Sequence, residues 1–232
     1  MSTKLSFKRH RFPPDVIRYA VWLYFRFTLS FRDVEELLAE RGIEVSYETI
    51  RCWTIKFGAQ IRANLNAKRP APSPRWHLDE MVCSVSGKRM YLWRAVDDEG
   101  EILEMIMQPS RDALTAIRLL TKLLVNTKQA PERIVTDGLG SYTSAARYLH
   151  LEHIHFRGRL RENNRAENSH LPIRRRERKM QKFKSQASAQ RFLDTFSAVY
   201  NTFYTQRHLT SRNVLRELRG NAFGAWNEAT AA

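Results

Sequence analysis

The 232-residue chain is 43% hydrophobic and 27% charged, a globular balance that excludes a disordered, collagenous or disulfide-scaffold protein. Its charge is less ordinary: 39 Lys and Arg against 24 Asp and Glu give +15, which points to a polyanionic partner, nucleic acid before an anionic membrane. The two cysteines, Cys52 and Cys83, form no metal-binding pair, and no run of ~18 apolar residues predicts a membrane span. No apolar segment with a cleavage site follows the basic start, so a reducing cytosol with free thiols is expected.

The charge is unevenly spread. Residues 1–74 hold 13 basic and 7 acidic groups, residues 75–156 hold 10 and 11, and residues 157–232 hold 16 and 6. A near-neutral middle therefore lies between two basic ends.

Residues 1–62 read as three helices. Pro13-Pro14-Asp15 opens the first, with Val16, Ala20, Leu23 and Phe27 at helical spacing. Ser30-Phe31-Arg32-Asp33 has the form of a capping box and starts a second helix that ends near Gly42. Ser46 caps a third, in which Ile50, Trp53 and Phe57 share a face and Gly58 stops the run. Three short helices with polar Tyr47, Glu48, Arg51 and Lys56 off the apolar face of the third predict a helix-turn-helix, whose third helix would enter the major groove. A plain three-helix bundle has the same pattern, and the 41–46 connection is longer than the usual ~3–4 residues.

Residues 63–74 include three prolines between 66 and 74 and predict a linker. Three β-rich runs follow, at 75–85, 89–97 and 101–108, separated by Ser86-Gly87-Lys88 and Asp98-Glu99-Gly100, both suited to tight hairpins. Asp97, Asp98 and Glu99 read as hairpin acids. A helix with Ala113, Ile117, Leu120 and Leu124 on one face comes next. A strand at 133–136, a helix at 141–149 and a strand at 152–156 complete the pattern, which predicts an α/β domain with a mixed sheet over 75–185. A C-terminal helical region, 186–232, has Phe192, Phe196, Val199 and Phe203 at helical spacing. Trp53, Trp93, Phe192 and Phe196 read as core.

Three acids lie where structure would hold them. Asp79 is inside the first strand, Asp137 ends the fourth before Gly138, and Glu167 falls in 157–191, which has 12 Lys and Arg and only two other acids. Each has an ordinary alternative: a strand acid facing water, a turn-forming aspartate, an ion-pair partner. Cutting and rejoining a phosphodiester needs an oxygen nucleophile, an in-line leaving oxygen and relief of charge on phosphorus. Two Mg²⁺ ions ~3.5–4 Å apart supply this, held by hard carboxylate oxygens with no need for His or Cys. The flanking arginines would hold the DNA backbone.

Trp76-His-Leu-Asp79-Glu80, Val135-Thr-Asp137 with Tyr142 after it, and Asn163-Asn164-Arg165-Ala166-Glu167-Asn168-Ser-His170, followed by the basic run at 174–185, occur in order and at compatible spacing. In this the chain resembles the DDE transposases of the RNase H-like superfamily, in particular the bacterial insertion sequence six group, over about residues 10–220. The 29 residues between Asp137 and Glu167 are on the short side for that superfamily. The resemblance implies an RNase H-like mixed sheet flanked by helices, with Asp79, Asp137 and Glu167 as catalytic and metal-holding residues. It implies two Mg²⁺ ions, with Mn²⁺ as a substitute, Asp79 bridging both. It also implies binding of the element's terminal inverted repeats, strand transfer into target DNA, a homodimer or larger assembly, and a place in the bacterial cytoplasm with the nucleoid. Arg174 fits the basic residue that the group carries seven positions after the glutamate. Tyr47, Arg51 and Lys56, with Arg174, Arg175, Arg178 and Lys179, are the candidate DNA contacts. His170, one turn past Glu167, is a candidate neighbour of the site. His77 should point to the sheet face opposite Asp79, and Tyr142 reads as packing or a phosphate contact. The rival reading is a non-catalytic helix-turn-helix regulator whose α/β domain dimerises or senses a ligand.

Overall fold

The computed structural model of the chain describes residues 4–127, 129–158, 163, 166, 170–179, 183–205 and 209–232. They form two compact units. One comprises residues 1–69 with 194–232, the other residues 70–193.

The first unit begins with α1 (Pro14–Arg26), α2 (Phe31–Ala39) and α3 (Tyr47–Ala67). The expected caps form. Ser30 Oγ accepts from the Asp33 N–H at 3.1 Å while Asp33 Oδ2 accepts from the Ser30 N–H at 2.6 Å. Ser46 Oγ accepts from the Thr49 N–H. Each cap satisfies backbone donors that a helix start leaves free. Gly42, with φ +73°, turns the chain out of α2 in the left-handed region that glycine enters without penalty.

Gly58 does not stop α3, which runs on to Ala67 and into the stretch expected to be linker. A Cβ at Gly58 would lie 2.9 Å from Thr195 Oγ1, so this glycine provides close approach between packed helices. The buried side chains Ile17, Ala20, Val21 and Tyr24 of α1 and Val34 and Leu38 of α2 belong to the core of this unit. So do Ile50, Trp53 and Phe57 of α3. The C-terminal helix joins the same unit, where Asn64 of α3 donates to the Ala229 carbonyl at 2.8 Å and Leu5 N–H donates to the Ala231 carbonyl.

The second unit is built on one sheet. β1 (Arg75–Val85), β2 (Lys88–Asp97) and β3 (Ile102–Gln108) are antiparallel, and β4 (Arg133–Thr136) and β5 (His155–Arg157) run parallel to β1. The order β3-β2-β1-β4-β5 is the mixed sheet expected. α4 (Ala113–Thr127) and α5 (Gly140–Tyr148) cover one face. There Trp76, Leu78, Trp93, Ala95 and Ile106 pack with Leu119, Leu120, Leu123, Tyr142 and Ala145. α6 (Leu171–Lys179) and α7 (Gln186–Phe203) follow, and the boundary between the units falls within α7. Helix α8 (Arg212–Ala229) closes the chain.

The edge strand β3 is covered in an economical way. Gln190 donates to the Met105 carbonyl and accepts from the Met107 N–H, and Gln186 donates to the Met107 carbonyl. Two glutamines of α7 thus stand in for a neighbouring strand and satisfy groups that would otherwise invite edge pairing. Asp97 is a stronger turn residue than expected: it is buried and accepts from the Ser73, Glu99 and Glu101 N–H groups.

The segment expected as a strand at 152–156 instead makes a 3₁₀ turn, Glu152–Ile154, and β5 begins at His155. The strand must start where it can pair with Ile134 of β4, and the turn supplies the residues that bring it there. Pro172 sits in the first turn of α6, where proline costs no helical hydrogen bond.

Candidate active site at the end of β4

Register brings the first two acids together. β1 and β4 pair Leu78 with Thr136, and β4 ends there, so the next residues along, Asp79 and Asp137, leave the paired region side by side. Gly138, with φ +91°, lets the chain turn away at that point. Asp137 makes the turn expected of an aspartate before glycine, its Oδ1 accepting from the Leu139 N–H at 3.0 Å. Its Oδ2 is left for the site. The turn role and the site role thus fall on different oxygens of one carboxylate.

Asp79 is less exposed. Its Oδ2 accepts from His170 Nε2 at 2.9 Å, and among the described residues its Oδ1 accepts no hydrogen bond. His170 is buried, and its Nδ1 has no partner among the described residues. Asn163, also buried, donates to the Leu78 carbonyl at 2.9 Å and so closes the backbone of β1 where β4 has ended. The expected neighbourhood of His170 is observed. His77 corrects a sequence expectation: residues two apart share a strand face, so it lies on the side of Asp79. It turns instead to Asp98, with Nε2 2.8 Å from Oδ1.

Glu80 is the residue that sequence reasoning missed. Oxygens of Asp79, Glu80 and Asp137 lie within 4.8 Å of one another. Strand alternation gives Glu80 to the α4/α5 face, where its side chain is almost fully enclosed. Tyr142 donates to its Oε2 at 2.9 Å and Arg111 Nε donates to its Oε1 at 2.6 Å. Arg111 Nη2 also pairs with Glu80 and stands 3.9 Å from Asp137 Oδ2. Burial raises the Glu80 pKa above the ordinary range, opposed by Arg111 and Tyr142 and assisted by the nearby Asp137. Burial, and then the negative charge of Glu80, push the Tyr142 phenol well above its usual value, so it remains a hydrogen-bond donor. Tyr142 is the packing residue expected, its ring edge-on to Trp93 at 5.3 Å. The signal for Glu80 was its place beside Asp79; for Arg111 it was a cation just before a helix, Ser110-Arg111-Asp112.

The donor set suits a divalent cation. All the converging atoms are carboxylate oxygens, the hard ligands that Mg²⁺ and Mn²⁺ take. Two ligands of one ion can be no more than roughly 4–5 Å apart, and the cluster spans that distance. Glu167 lies outside the described residues.

The candidate DNA contacts lie elsewhere. Tyr47, Arg51 and Lys56 are exposed on α3. Arg32 stacks on the Tyr47 ring at 4.3 Å, Arg51 is held by Glu48, and Lys56 Nζ lies 3.3 Å from His10 Nε2. Glu35 accepts from the Tyr47 N–H at 3.0 Å and so pins α2 to the start of α3. Arg174, Arg175, Arg178 and Lys179 are exposed on α6, whereas Arg176 is buried with its guanidinium 5.3 Å from the Phe192 ring.

A five-stranded mixed sheet with two aspartates side by side where the pairing of parallel neighbours β1 and β4 ends defines an RNase H-like domain with a carboxylate site. The family model of the DDE domain matches residues 73–206, more than half of the chain. The chain belongs to the DDE transposase family, in the insertion sequence six group that its motifs resemble. It is 34% identical over 131 residues to the transposase for insertion sequence-like element IS431mec of Staphylococcus aureus strain Mu50, covering 56% of this chain and 58% of that protein. The same figures hold for the strain N315 protein. The transposase for insertion sequence element IS257 in transposon Tn4003 of Staphylococcus aureus is 32% identical over the same length. The chain thus spans a little under three fifths of the length of these curated relatives. Among the described residues no helix is long and apolar enough to cross a membrane.

Proposed function

We propose that the chain is a metal-dependent DNA strand transferase that acts at the ends of an insertion sequence. The observation that carries this reading is the juxtaposition of Asp79 and Asp137 in a member of the DDE family. Asp79, Asp137 and Glu167 are the residues proposed to hold two Mg²⁺ ions, with Mn²⁺ able to replace them. When bound, the ions would lower the pKa of an attacking oxygen and neutralise charge on the phosphate and leaving oxygen. His170 holds the Asp79 carboxylate in place, and the Leu139 N–H does the same for Asp137. Water would first free a 3′-hydroxyl at the element's end, and that hydroxyl would then attack target DNA. No side chain forms a covalent bond to DNA.

Tyr47, Arg51 and Lys56 are proposed to contact the terminal inverted repeats, with residues 1–62 as the DNA-binding part. Arg174, Arg175, Arg178 and Lys179 are proposed to contact phosphates. Handling two ends calls for a homodimer or larger assembly, and the bacterial cytoplasm, on the nucleoid, is the expected setting. The test is Asp79→Asn, assayed with a duplex carrying the element's terminal repeat. The expected result is loss of Mg²⁺-dependent strand transfer with repeat binding retained. Unchanged strand transfer in Asp79→Asn would overturn the assigned site, and repeat binding with no strand transfer in the unaltered chain would favour a non-catalytic helix-turn-helix regulator.

A further inference from the structure

The acid cluster contains one carboxylate with both oxygens engaged and one cation engaged on a single edge. Glu80 has both oxygens occupied, Oε2 by Tyr142 and Oε1 by Arg111. A metal ion there would have to displace a hydrogen bond from a buried group or share an oxygen with it, whereas Asp79 Oδ1 and Asp137 Oδ2 accept no hydrogen bond among the described residues. Arg111 uses Nε and Nη2 on Glu80. Its Nη1 has no partner among the described residues, and its side chain is 44% exposed. The guanidinium therefore stands at the rim of the cluster, fixed on one edge and open on the other.

We propose that Arg111 binds a DNA phosphate at this site, and that Glu80 is its positioning residue and not a metal ligand. The inference rests on the strand-transfer reading above and assigns that site a substrate contact. A phosphate approaching Asp79 and Asp137 meets net negative charge, and a cation within 3.9 Å of Asp137 reduces the repulsion on the side it occupies. Guanidinium suits the task because its planar fork can hold a carboxylate on one edge and a phosphate on the other. A free arginine on a loop would sweep many orientations. Glu80 removes that freedom, and Tyr142 in turn fixes Glu80 from inside the core.

Two measurements on the full chain test this. The first is binding of a short DNA duplex in EDTA, followed by fluorescence anisotropy between about 50 and 200 mM salt. Arg111→Gln should weaken binding several-fold at the low-salt end and lower the slope of log affinity against log salt by roughly 0.9, the contribution of one phosphate contact. Arg111→Lys should restore most of the slope, since a point charge still releases the counterion. Glu80→Gln should weaken binding in the same direction as Arg111→Gln, and the double variant should be no weaker than Arg111→Gln alone. An unchanged slope in Arg111→Gln overturns the phosphate contact.

The second measurement is the rise in melting temperature on adding Mn²⁺ alone. Glu80→Gln should keep that response and Asp79→Asn should lose it. Loss in Glu80→Gln equal to that in Asp79→Asn would make Glu80 a ligand and overturn its assignment. If Asp79→Asn responds to Mn²⁺ like the unaltered chain, the proposed metal site fails. The metal-free duplex measurement still decides the role of Arg111 in that case.

Discussion

The two compact units handle charge in opposite ways. In the sheet unit the groups around Asp79 and Asp137 are held by named partners: His170, the Leu139 N–H, and Arg111 through Glu80 and Tyr142. In the helical unit the candidate DNA contacts Tyr47, Arg51 and Lys56 are exposed, as are those of α6 in the sheet unit. Arg51 takes Glu48 one turn away, the two side chains 44% and 53% exposed. Chemistry on a phosphodiester needs oxygens fixed to within a fraction of an ångström, and only strands and buried hydrogen bonds provide that. Holding a long polyanion needs cations free to follow it.

The sharpest way to break this contrast is to remove one of the fixed carboxylates. Asp137→Asn keeps the Oδ1 that accepts from Leu139 and so keeps the turn, but it loses the charge that would hold a metal. Strand transfer should fall by roughly 10³-fold, equivalent to several kcal/mol of transition-state stabilisation, with repeat binding nearly intact. A variant retaining nearly full activity would show that Asp137 serves the turn alone.

Packing distinguishes the units next. Gly58→Val in the helical unit places methyl groups where Thr195 Oγ1 already stands 2.9 Å from a Cβ. It should destabilise by about 1–3 kcal/mol, as overpacking does, while leaving the Mn²⁺ response of the sheet unit in place at low temperature. Thr195→Ala should recover part of the loss, which thermal unfolding of the single and double variants measures. Additive losses would mean that Gly58 does not face Thr195.

Glu80 offers a pH test of the fixed unit. Because burial raises its pKa in the folded chain, the folded state binds more protons than the unfolded state at pH values above about 4.5, up to the raised value. Its contribution to stability is therefore fullest below that window and declines as pH rises through it. In EDTA, the melting temperature of the unaltered chain should fall relative to Glu80→Gln as pH increases across the window. A constant difference would place Glu80 in a more hydrated setting.

Local rules made much of the fold legible. The caps at Ser30 and Ser46, the hairpin separators and the strand ending at Thr136 were readable because each depends on a few adjacent residues. Asp79 and Asp137 were legible as acids at informative places, and the order of motifs linked them to a family. Glu80 was hard to read, since it stands beside Asp79 in the chain but alternation along β1 gives adjacent residues to opposite faces; its carboxylate nonetheless comes within 4.8 Å of the other two. Gly58 was misread because a glycine in a helix signals a stop or a close approach equally well, and Thr195 lies 137 positions further on. His77 shares the sheet face of Asp79 because side chains two apart on a strand point the same way. Glu167 stays a reading of sequence alone.

The smallest expected effect concerns Arg51. Its hydrogen bonds to Glu48 raise its already high pKa and lower that of Glu48, so both stay charged at neutral pH and each occupies the other. A duplex that needs Arg51 must therefore compete with Glu48 for the same guanidinium. Glu48→Gln weakens the competitor without removing the helix turn, and should tighten repeat binding by a few-fold at low salt, an advantage that fades as salt screens the exposed pair. Arg51→Gln should loosen binding, and adding Glu48→Gln to it should change nothing further, because the competition then has no object. If Glu48→Gln tightens binding equally with and without Arg51, the acid acts only by repelling DNA, and Arg51 is a surface ion pair with no part in recognition.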